Sequence, residues 1–386
     1  MKKILLVFGT RPEAIKMAPL VKEFQKNTII FNTKICVTAQ HREMLDQVLE
    51  LFDITPDYDL NLMRPGQDLY DITSNILLGM KDVFREFRPD VVLVHGDTTT
   101  TLATSLSAFY HQIKIGHVEA GLRTGCLYSP WPEEANRQIT GVLANYHFSP
   151  TSISRNNLLK ENKNPESIII TGNTVIDSLF LALKKIKNNQ ELENKIINQL
   201  SIIGYRIQNK KKIILVTGHR RENHGQRFKN ICTALKKIAL KNPNIDIVYP
   251  VHLNPNVQKS AQEILSNIDN IYLIDPLQYE QFIYLMDRSY FLITDSGGVQ
   301  EEAPSLGKPV LVMRDITERP EALESGTVVL VGTDVEKIIN KATNLINNKD
   351  SYDKMAQVQN PYGDGHSSKK IVDFFINDFL EDKYNK

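Results

Sequence analysis

The sequence predicts an α/β protein made of two doubly wound domains with parallel sheets. Short, continuously apolar runs such as KILLVFG, DVVLVHG and KKIILVTG alternate with amphipathic segments along the whole 386-residue chain. Strands without polar alternation are buried on both faces, which is the arrangement found in parallel sheets. Strand–helix alternation then indicates doubly wound units, in which ligands bind at the carboxyl ends of the strands.

Chain length and a weak internal repeat indicate two domains. A chain of 386 residues fits two domains of ordinary size. The start, KKILLVFGTRPEA, resembles KKIILVTGHRREN at Lys211, and the segment before the second copy is polar and rich in Asn and Lys. We therefore predict a first domain of residues 1–172 and a second of residues 173–360, with the crossover near Thr171.

Charge and cysteine content exclude several classes of partner. Lys and Arg number 46 against 45 Asp and Glu, so a net charge of +1 attracts neither nucleic acid nor anionic membrane. Cys36, Cys126 and Cys232 show neither CxxC nor zinc-site spacing, which is typical of a reducing compartment. No apolar run approaches transmembrane length, and the first is too short for a signal sequence. We expect a soluble cytoplasmic protein.

Sequence motifs for the common cofactors are absent. No GxGxxG follows a strand, so the nicotinamide and flavin fingerprint is missing. Gly307-Lys308 is followed by Pro309 and lacks the upstream glycine of a phosphate-binding P-loop. There is no HExxH, and His219 and His224 lie in a polar turn with poor metal-ligand spacing. The sequence therefore predicts no NAD and no obligatory metal.

The stretch TDSGGVQEEAPSLGKPVLVM contains a glycine pair between an apolar run and a predicted helix. The run ends in Asp295–Gly298, and a strand followed by glycines and a helix N-terminus is suited to binding phosphate. Glu301 and Glu302 are expected in the first turn of that helix. They either cap the helix dipole, or one of them binds sugar hydroxyls while the loop holds phosphate.

Acidic residues follow three segments of the first domain. Asp97 ends VVLVHGD before four threonines, and Glu119 ends the next strand in GHVEA, from where it could approach Asp97. Glu133 and Glu134 follow YSPWP, where Pro132 can start a helix. Asp97 could be a helix cap or a functional group, Glu119 favours a functional role, and capping accounts for one carboxylate of the Glu pair but not for both.

Basic residues recur in loops that follow predicted strands or lie near the glycine pair. Arg11, Arg220 and Arg319 could each form a surface salt bridge, but guanidinium groups in such loops also suit a diphosphate. His219 ends IILVTGH and could donate to phosphate, carry a proton or be a buried structural histidine. These residues fit an enzyme acting on a nucleotide sugar without naming its reaction.

Nine segments together resemble the bacterial non-hydrolysing UDP-N-acetylglucosamine 2-epimerases. They are FGTRPEAIKMAPL, TAQHREMLDQVL, VHGDTTTTLATSLSAFY, GHVEAGLRTG, YSPWPEEANR, TGHRREN, YPVHLNPNV, DSGGVQEEAPSLGKPVLVMRDITERPEA and NPYGDGHSS. The resemblance implies a glycosyltransferase-B type fold with two Rossmann-like domains facing a central cleft that holds UDP. It also implies that the C-terminal helix, within residues 361–386, returns to the first domain, and that the protein is a homodimer.

The family resemblance also implies which residues form the site. It implies a catalytic set of Asp97, Glu119, Glu133 and His219. It implies that UDP and substrate are bound by Arg11, Lys16, Asp97, Glu119, His219, Phe282, Ser296, Gly297, Gly298, Glu302 and Arg319, with the glycine loop on the diphosphate and Glu302 on the uridine ribose. A second, allosteric UDP-GlcNAc site is implied at Gln40, Arg64, Arg220 and His252.

The reaction implied by the resemblance is the interconversion of UDP-GlcNAc and UDP-ManNAc, which supplies ManNAc units for surface polysaccharide. No carbonyl lies beside C2 of the sugar, so direct removal of its proton requires an enormous reduction of the barrier. Oxidation next to C2 requires a nicotinamide site that the sequence lacks. Elimination of UDP to 2-acetamidoglucal, followed by re-addition, is the remaining route. The alternatives are a glycosyltransferase of the same fold and a catalytically inactive UDP-sugar sensor.

Overall fold

The computed structural model describes residues 1–39, 42–64, 66–208, 211–218 and 220–384. The chain forms two compact units, which we call the N-terminal unit, Met1–Leu181 with Tyr362–Lys386, and the C-terminal unit, Ala182–Pro361. Each unit contains one sheet in which every neighbouring pair of strands is parallel. The predicted class, α/β with two parallel sheets, is confirmed.

The N-terminal unit has a seven-stranded sheet in the order β3-β2-β1-β4-β5-β6-β7. Its strands are β1 (Lys2–Phe8), β2 (Phe31–Val37), β3 (Tyr58–Asp59), β4 (Val91–His95), β5 (Lys114–Val118), β6 (Tyr146–Ser149) and β7 (Ile168–Ile170). Its helices are α1 (Arg11–Gln25), α2 (Arg42–Leu51), α3 (Leu69–Phe87), α4 (Thr99–Tyr110), α5 (Glu133–Leu143), α6 (Ser152–Lys160) and the first part of α7 (Thr174–Lys187).

The C-terminal unit has a six-stranded sheet in the order β10-β9-β8-β11-β12-β13. Its strands are β8 (Lys212–Thr217), β9 (Ile245–Pro250), β10 (Ile271–Ile274), β11 (Phe291–Thr294), β12 (Val310–Val312) and β13 (Val328–Leu330). Its helices are α8 (Gln190–Ile202), α9 (Gln226–Lys241), α10 (Pro255–Leu265), α11 (Tyr279–Arg288), α12 (Gly297–Ser305), α13 (Pro320–Ser325), α14 (Val335–Asn347) and α15 (Lys349–Ala356). The last helix, α16 (Ser367–Tyr384), belongs to the N-terminal unit.

Apolar burial explains why the continuous hydrophobic runs become central strands. All of β4 and the last five residues of β1 are buried, because helices cover both faces of the sheet. In the C-terminal unit, Ile214 on β8 and Ile293 on β11 are fully buried in one core with Leu235 of α9. Each buried aliphatic side chain of this kind contributes roughly 1.5–3 kcal/mol relative to exposure.

Aromatic packing holds α16 on the N-terminal unit. Phe375 is fully buried, and its ring centroid lies 6.1 Å from Phe24 of α1 and 5.5 Å from Phe148 of β6. Phe379 lies 5.7 Å from Phe31 of β2 in the same way. Edge and tilted ring contacts at these distances add about 0.5–1.5 kcal/mol each to the burial of the rings.

The two units divide inside α7, whereas the sequence places the boundary at 172/173. The predicted position coincides with the turn before this helix, where Gly172 has φ of +89°. The helix nevertheless stays with the N-terminal unit for its first half, because Ile176 and Leu179 are fully buried there. Among the residues described, no helix combines the length and apolar character needed to cross a membrane.

Each sheet has a switch point, at which successive connections diverge to opposite sides. In the N-terminal unit it lies between β1 and β4, and in the C-terminal unit it lies between β8 and β11. Doubly wound folds bind ligands outside the carboxyl ends of the strands at such points. Of the predicted site residues, Asp97, Arg220 and Ser296 lie in the loops that follow β4, β8 and β11.

Candidate active site

Glu13 joins the two loops at the switch point of the N-terminal unit. It is the N3 residue of a capping box on α1, in which its carboxylate accepts the backbone N–H groups of Gly9 (3.0 Å) and Thr10 (2.8 Å). The same carboxylate accepts the Thr98 hydroxyl at 2.6 Å, at the start of α4. Glu13 is 2% exposed, so it fixes the β1–α1 and β4–α4 loops to each other. Arg11 and Lys16 lie on the same helix, α1.

Gly9 is packed so closely that no other residue fits at its position. A Cβ atom there would lie 2.0 Å from Thr38 Oγ1 and 2.5 Å from Thr100 Oγ1. The two hydroxyls are themselves 3.0 Å apart in a buried hydrogen bond. The chain therefore approaches the neighbouring strand-end loops as closely as a glycine backbone allows.

Asp97 is not the cap of α4. The cap is Thr98, whose hydroxyl accepts the backbone N–H of Thr101 at 3.2 Å. The Asp97 side chain instead forms a short ion pair with Arg137 of α5, and its backbone carbonyl accepts the Asn136 side-chain amide at 2.9 Å. The Asp97 carboxylate therefore does not cap the helix, and a functional role for it stays a prediction.

Glu119 directly follows β5 and has an unusual backbone conformation and a buried carboxylate. Its φ is +63°, in the left-handed region that non-glycine residues seldom adopt, and it is 7% exposed. Lys16 Nζ donates to both carboxylate oxygens, at 2.7 and 2.6 Å, and Asn173 Nδ2 donates to Oε1 at 3.2 Å. His95 Nε2 lies 3.0 Å from Oε2, although the ring is not aligned for a hydrogen bond.

Charge keeps Glu119 ionised despite its burial. Burial alone would raise the pKa of this carboxyl, but the nearby Lys16 ammonium and His95 outweigh it and hold the pKa well below its usual value. Gly96 N–H donates to the Val118 carbonyl at 2.9 Å, so the turn before Asp97 runs beside the end of β5. The expectation that Asp97 and Glu119 follow neighbouring strands is confirmed by this pairing.

The adjacent glutamates of α5 have different environments. Glu134 is fully buried and accepts the backbone N–H groups of Thr124 (3.1 Å) and Gly125 (3.3 Å). Burial opposes ionisation of Glu134, but the donors around it, Gln138 first, keep its pKa below the usual value. Glu133 is half-buried and has no hydrogen bond or ion pair among the residues that the structure describes. Glu134 is therefore structural, and Glu133 is available to a ligand.

In the C-terminal unit, α12 begins directly at the glycine pair. Gly297 is its first residue. The side chain of Ser296, which precedes it, makes no capping hydrogen bond to the helix residues described here. Glu301 and Glu302 therefore lie in the second turn, and the prediction of a first-turn position is wrong. The first turn carries no carboxylate, so its N–H groups and the positive end of the helix dipole face outward without a competing charge.

The two glutamates of α12 each contact a specific side chain. Glu301 is buried and forms a short ion pair with Arg319, the residue that precedes α13. Glu302 Oε1 accepts the Tyr279 hydroxyl at 3.4 Å, and its Oε2 would lie 3.7 Å from a Cβ atom at Gly298. Glu302 thus lies beside the helix start, as its predicted role on the ribose requires.

Two guanidinium groups face the start of α12. A Cβ atom at Gly297 would lie 3.9 Å from the Nη2 atoms of both Arg220 and Arg319. Asp295 is buried and accepts the Arg220 backbone N–H at 2.9 Å and the Asn223 amide at 3.1 Å, so it fixes the β8–α9 loop to the end of β11. This arrangement places two guanidinium groups beside the first turn of α12.

The other predicted residues are placed individually. Phe282 is half-buried on α11, while Arg64 and His252 are exposed in connecting loops of the N-terminal and C-terminal units. His219 and Gln40 lie outside the described residues. The sequence analysis missed Glu13, Arg137 and Asn173, and of these only Glu13 left a signal, the capping-box spacing Thr10-x-x-Glu13.

Two Rossmann-like units in one chain, each with polar loops at its switch point, define a protein of the glycosyltransferase-B fold group. A glycotransferase of kitacinnamycin matches at 10% identity with a TM-score of 0.64 over 97% of this chain, which shows the fold alone. The model of the family described as UDP-N-acetylglucosamine 2-epimerase matches residues 22–376. The chain belongs to this family, and the family predicted from the nine segments is confirmed.

Relatives match along nearly the whole chain. A Campylobacter jejuni protein named UDP-N-acetylglucosamine 2-epimerase is 63% identical over 377 residues, covering 97% of each chain. The crystal structure of UDP-GlcNAc 2-epimerase from Neisseria meningitidis bound to UDP-GlcNAc also matches, with 55% sequence identity to this chain. The two structures superpose with a TM-score of 0.86, and the match covers 97% of this chain and all of that one. The similarity therefore extends over both units.

Proposed function

We propose that this chain interconverts UDP-GlcNAc and UDP-ManNAc by inverting C2 of the sugar. The observation that carries the proposal is Glu119, a buried carboxylate that Lys16 and His95 keep ionised at the end of the strand beside Asp97. Membership in the 2-epimerase family favours this reaction over sugar transfer to an acceptor. A catalytically inactive sensor of UDP-sugars would not require a carboxylate held charged at the cost of burial.

The proposed mechanism is elimination followed by addition. A carboxylate takes the C2 proton, the electrons of the C–H bond form a C1–C2 double bond, and the C1–O bond breaks to release UDP. UDP then adds back to C1 while C2 receives a proton on its other face. We assign the carboxylates of Asp97, Glu119 and Glu133 to the proton transfers, with His219 beside the diphosphate.

The C-terminal unit supplies what the leaving group requires. We assign the diphosphate to Ser296, Gly297, Gly298 and Arg319, and the uridine ribose to Glu302, with Phe282 toward the base. In the N-terminal unit we assign Arg11 and Lys16 to substrate contacts. Fixed N–H donors and guanidinium groups stabilise charge that develops on departing UDP, which is the largest contribution in many enzymes.

We propose that the reaction needs neither nicotinamide nor metal. Elimination and addition transfer a proton and the leaving group UDP. Substrate and product have the same oxidation state. Carboxylates and guanidinium groups can carry out both parts.

The direct test is turnover of UDP-GlcNAc in heavy water without nicotinamide, metal or acceptor. We expect UDP-ManNAc to form and to carry deuterium at C2, because the proton removed exchanges with solvent before C2 is protonated again. Sugar nucleotides are separated by chromatography, and deuterium is located by NMR. Product without deuterium at C2 would contradict the mechanism, and release of UDP only with an added acceptor would instead identify a transferase.

A second site for UDP-GlcNAc remains a proposal of its own, at Gln40, Arg64, Arg220 and His252. An activator that binds the competent state more tightly shifts the population toward it, with typical couplings of about 1–3 kcal/mol. We expect UDP-ManNAc alone to react slowly and to accelerate when a little UDP-GlcNAc is added. Arg64→Ala should weaken this activation while leaving UDP binding unchanged. Full-rate, hyperbolic conversion of UDP-ManNAc without activator contradicts the proposal.

We propose that the protein is a cytoplasmic homodimer that supplies ManNAc units for surface polysaccharide. Support for the dimer comes from large apolar side chains exposed on three neighbouring helices of the N-terminal unit, α3, α4 and α5. They are Tyr70, Leu78, Phe109, Tyr110, Ile139 and Val142. Several large apolar side chains exposed on helices that pack together favour a subunit interface. Sedimentation of the pure protein as a monomer at micromolar concentration would contradict the dimer.

A further inference from the structure

Asn173 is held at three points in the turn between β7 and α7. Its side-chain amide donates to Glu119 Oε1 at 3.2 Å, and its side-chain carbonyl accepts the Val175 N–H at 3.1 Å. Its own backbone N–H donates to the Tyr362 carbonyl at 2.7 Å. Asn173 is 2% exposed, so both its backbone and its amide group have fixed orientations.

Asn173 contacts the segment in which the chain returns to the N-terminal unit, and it precedes the helix in which the chain leaves that unit. The helix that carries the chain out of the N-terminal unit begins at Thr174, directly after Asn173, and Tyr362 is the first residue after the return. The two segments are in close contact, since a Cβ atom at Gly172 would lie 3.1 Å from the Tyr362 carbonyl oxygen and 2.7 Å from Ser367 Oγ. Asn173 therefore contacts the reacting region on one side and the returning chain on the other.

We propose that Asn173 is a positioning residue for Glu119 and that it ties the orientation of this carboxylate to the returning chain at Tyr362. The proposal rests on the proposed function, because it takes Glu119 to handle a proton of the sugar.

Among the described residues, three side chains lie against the Glu119 carboxylate. Lys16 of α1 contacts both oxygens from a long flexible side chain, and His95 of β4 lies near Oε2 without hydrogen-bond alignment. Lys16 and His95 hold the pKa of this carboxyl well below its usual value. Asn173 is neutral and rigid, so it supplies direction, and displacement of a reacting group by about 1 Å can cost about 10²-fold in rate.

The test measures kcat, KM and the pH profile for Asn173→Ala, Asn173→Ser and Asn173→Asp. Asn173→Ala should lower kcat about 10²-fold while KM stays within about threefold, because the loss concerns the orientation of one reacting group. Asn173→Ser, which keeps a donor, should recover part of the loss. Asn173→Asp places a second negative charge beside Glu119, raises its pKa and should move the acid limb of the kcat profile up by about one pH unit.

Asp177→Asn, in the helix that begins directly after Asn173, is the matched control. Asp177 accepts the backbone N–H groups of Ser367 (3.1 Å) and Ser368 (2.7 Å), so it holds the start of α16 at the returning chain. Its exchange should lower the melting temperature but leave the acid limb unchanged. An unshifted acid limb in Asn173→Asp, or activity losses in Asn173→Ala no greater than in the control, would overturn the proposal. Normal turnover of Glu119→Gln would instead overturn the proposed function, so the two failures are distinguishable.

Discussion

Glutamine in place of Glu119 is expected to lower kcat at least about 10²-fold, the scale of general acid–base catalysis. The substitution keeps the size of the side chain and its acceptor oxygen, but it removes the charge that pairs with Lys16. Asp97→Asn and Glu133→Gln should reduce kcat to a similar extent. UDP affinity should change least for Glu133→Gln, because this carboxylate contacts no other charged group among the described residues and is assigned to the sugar. Steady-state rates and UDP titrations measure both quantities.

The control is a carboxylate near the C-terminal end of α1. Glu23 pairs with Lys26 at the surface, so Glu23→Gln should leave kcat unchanged. Near-normal rates in all three variants would mean that these carboxylates are structural, and the proposed roles would then be wrong. A loss of kcat in Glu119→Gln alone would mean that this one carboxylate, with a water molecule, carries out both proton transfers.

Acidification from pH 7 to pH 5 is expected to destabilise the N-terminal unit through two buried histidines. Burial lowers the pKa of His117 to about 3 and that of His147 to about 4. For His117 the Gly96 carbonyl, 2.7 Å from Nε2, opposes part of this shift. The unfolded chain takes up a proton on each ring near pH 6.5, whereas the folded unit does not until much lower pH. Stability therefore falls as the pH drops below about 6.5 and levels off below the folded pKa values, with a loss of about 2 kcal/mol per histidine at pH 5.

Hydrogen exchange of the β5 and β6 amides measures this loss within the unit itself. His147→Leu should reduce the difference in unfolding free energy between pH 7 and pH 5 by about 2 kcal/mol, because leucine removes one of the two proton sites. Exchange of amides in the C-terminal unit serves as an internal reference. The interpretation fails if the wild-type unit is equally stable at both pH values, or if His147→Leu keeps the full dependence.

The sheet architecture was predictable because strands that are buried on both faces have continuously apolar sequences. The runs around Leu5 and Val92 are apolar without interruption, and both residues are fully buried in parallel strands. The order of the strands and the loops at their carboxyl ends follow from such runs once helices separate them. Asp97 and Glu119 could be located in this way, since each directly follows a predicted strand.

Roles within the site were less predictable, because they depend on partners distant in sequence. Asp97 and Thr98 are both good capping residues, and only the Arg137 contact, forty positions away, separates their roles. Asn173 reaches Glu119 across fifty-four positions. No spacing rule connects residues so far apart, so such contacts require the folded chain.

Helix starts were the other source of error. The expectation for Glu301 and Glu302 assumed that α12 begins after the glycines, as it would if they only formed a turn. The helix begins at Gly297 itself, which moves both carboxylates one turn onward. Glycine is a weak helix former, and a sequence pattern alone does not reveal that the fold uses it as the first helical residue.

The close fit of Gly9 limits how this enzyme could be redesigned. With a backbone wedged between Thr38 and Thr100 and with Glu13 bridging two loops, this corner tolerates almost no change in volume. A directed-evolution library aimed at other nucleotide sugars would lose most clones to misfolding if it randomised those positions. The segment 122–131 is a better target, since Leu127 and Tyr128 are 50% and 81% exposed while buried Glu134 anchors its backbone at Thr124. Diversity placed there changes an exposed loop of the N-terminal unit without disturbing the rigid corner.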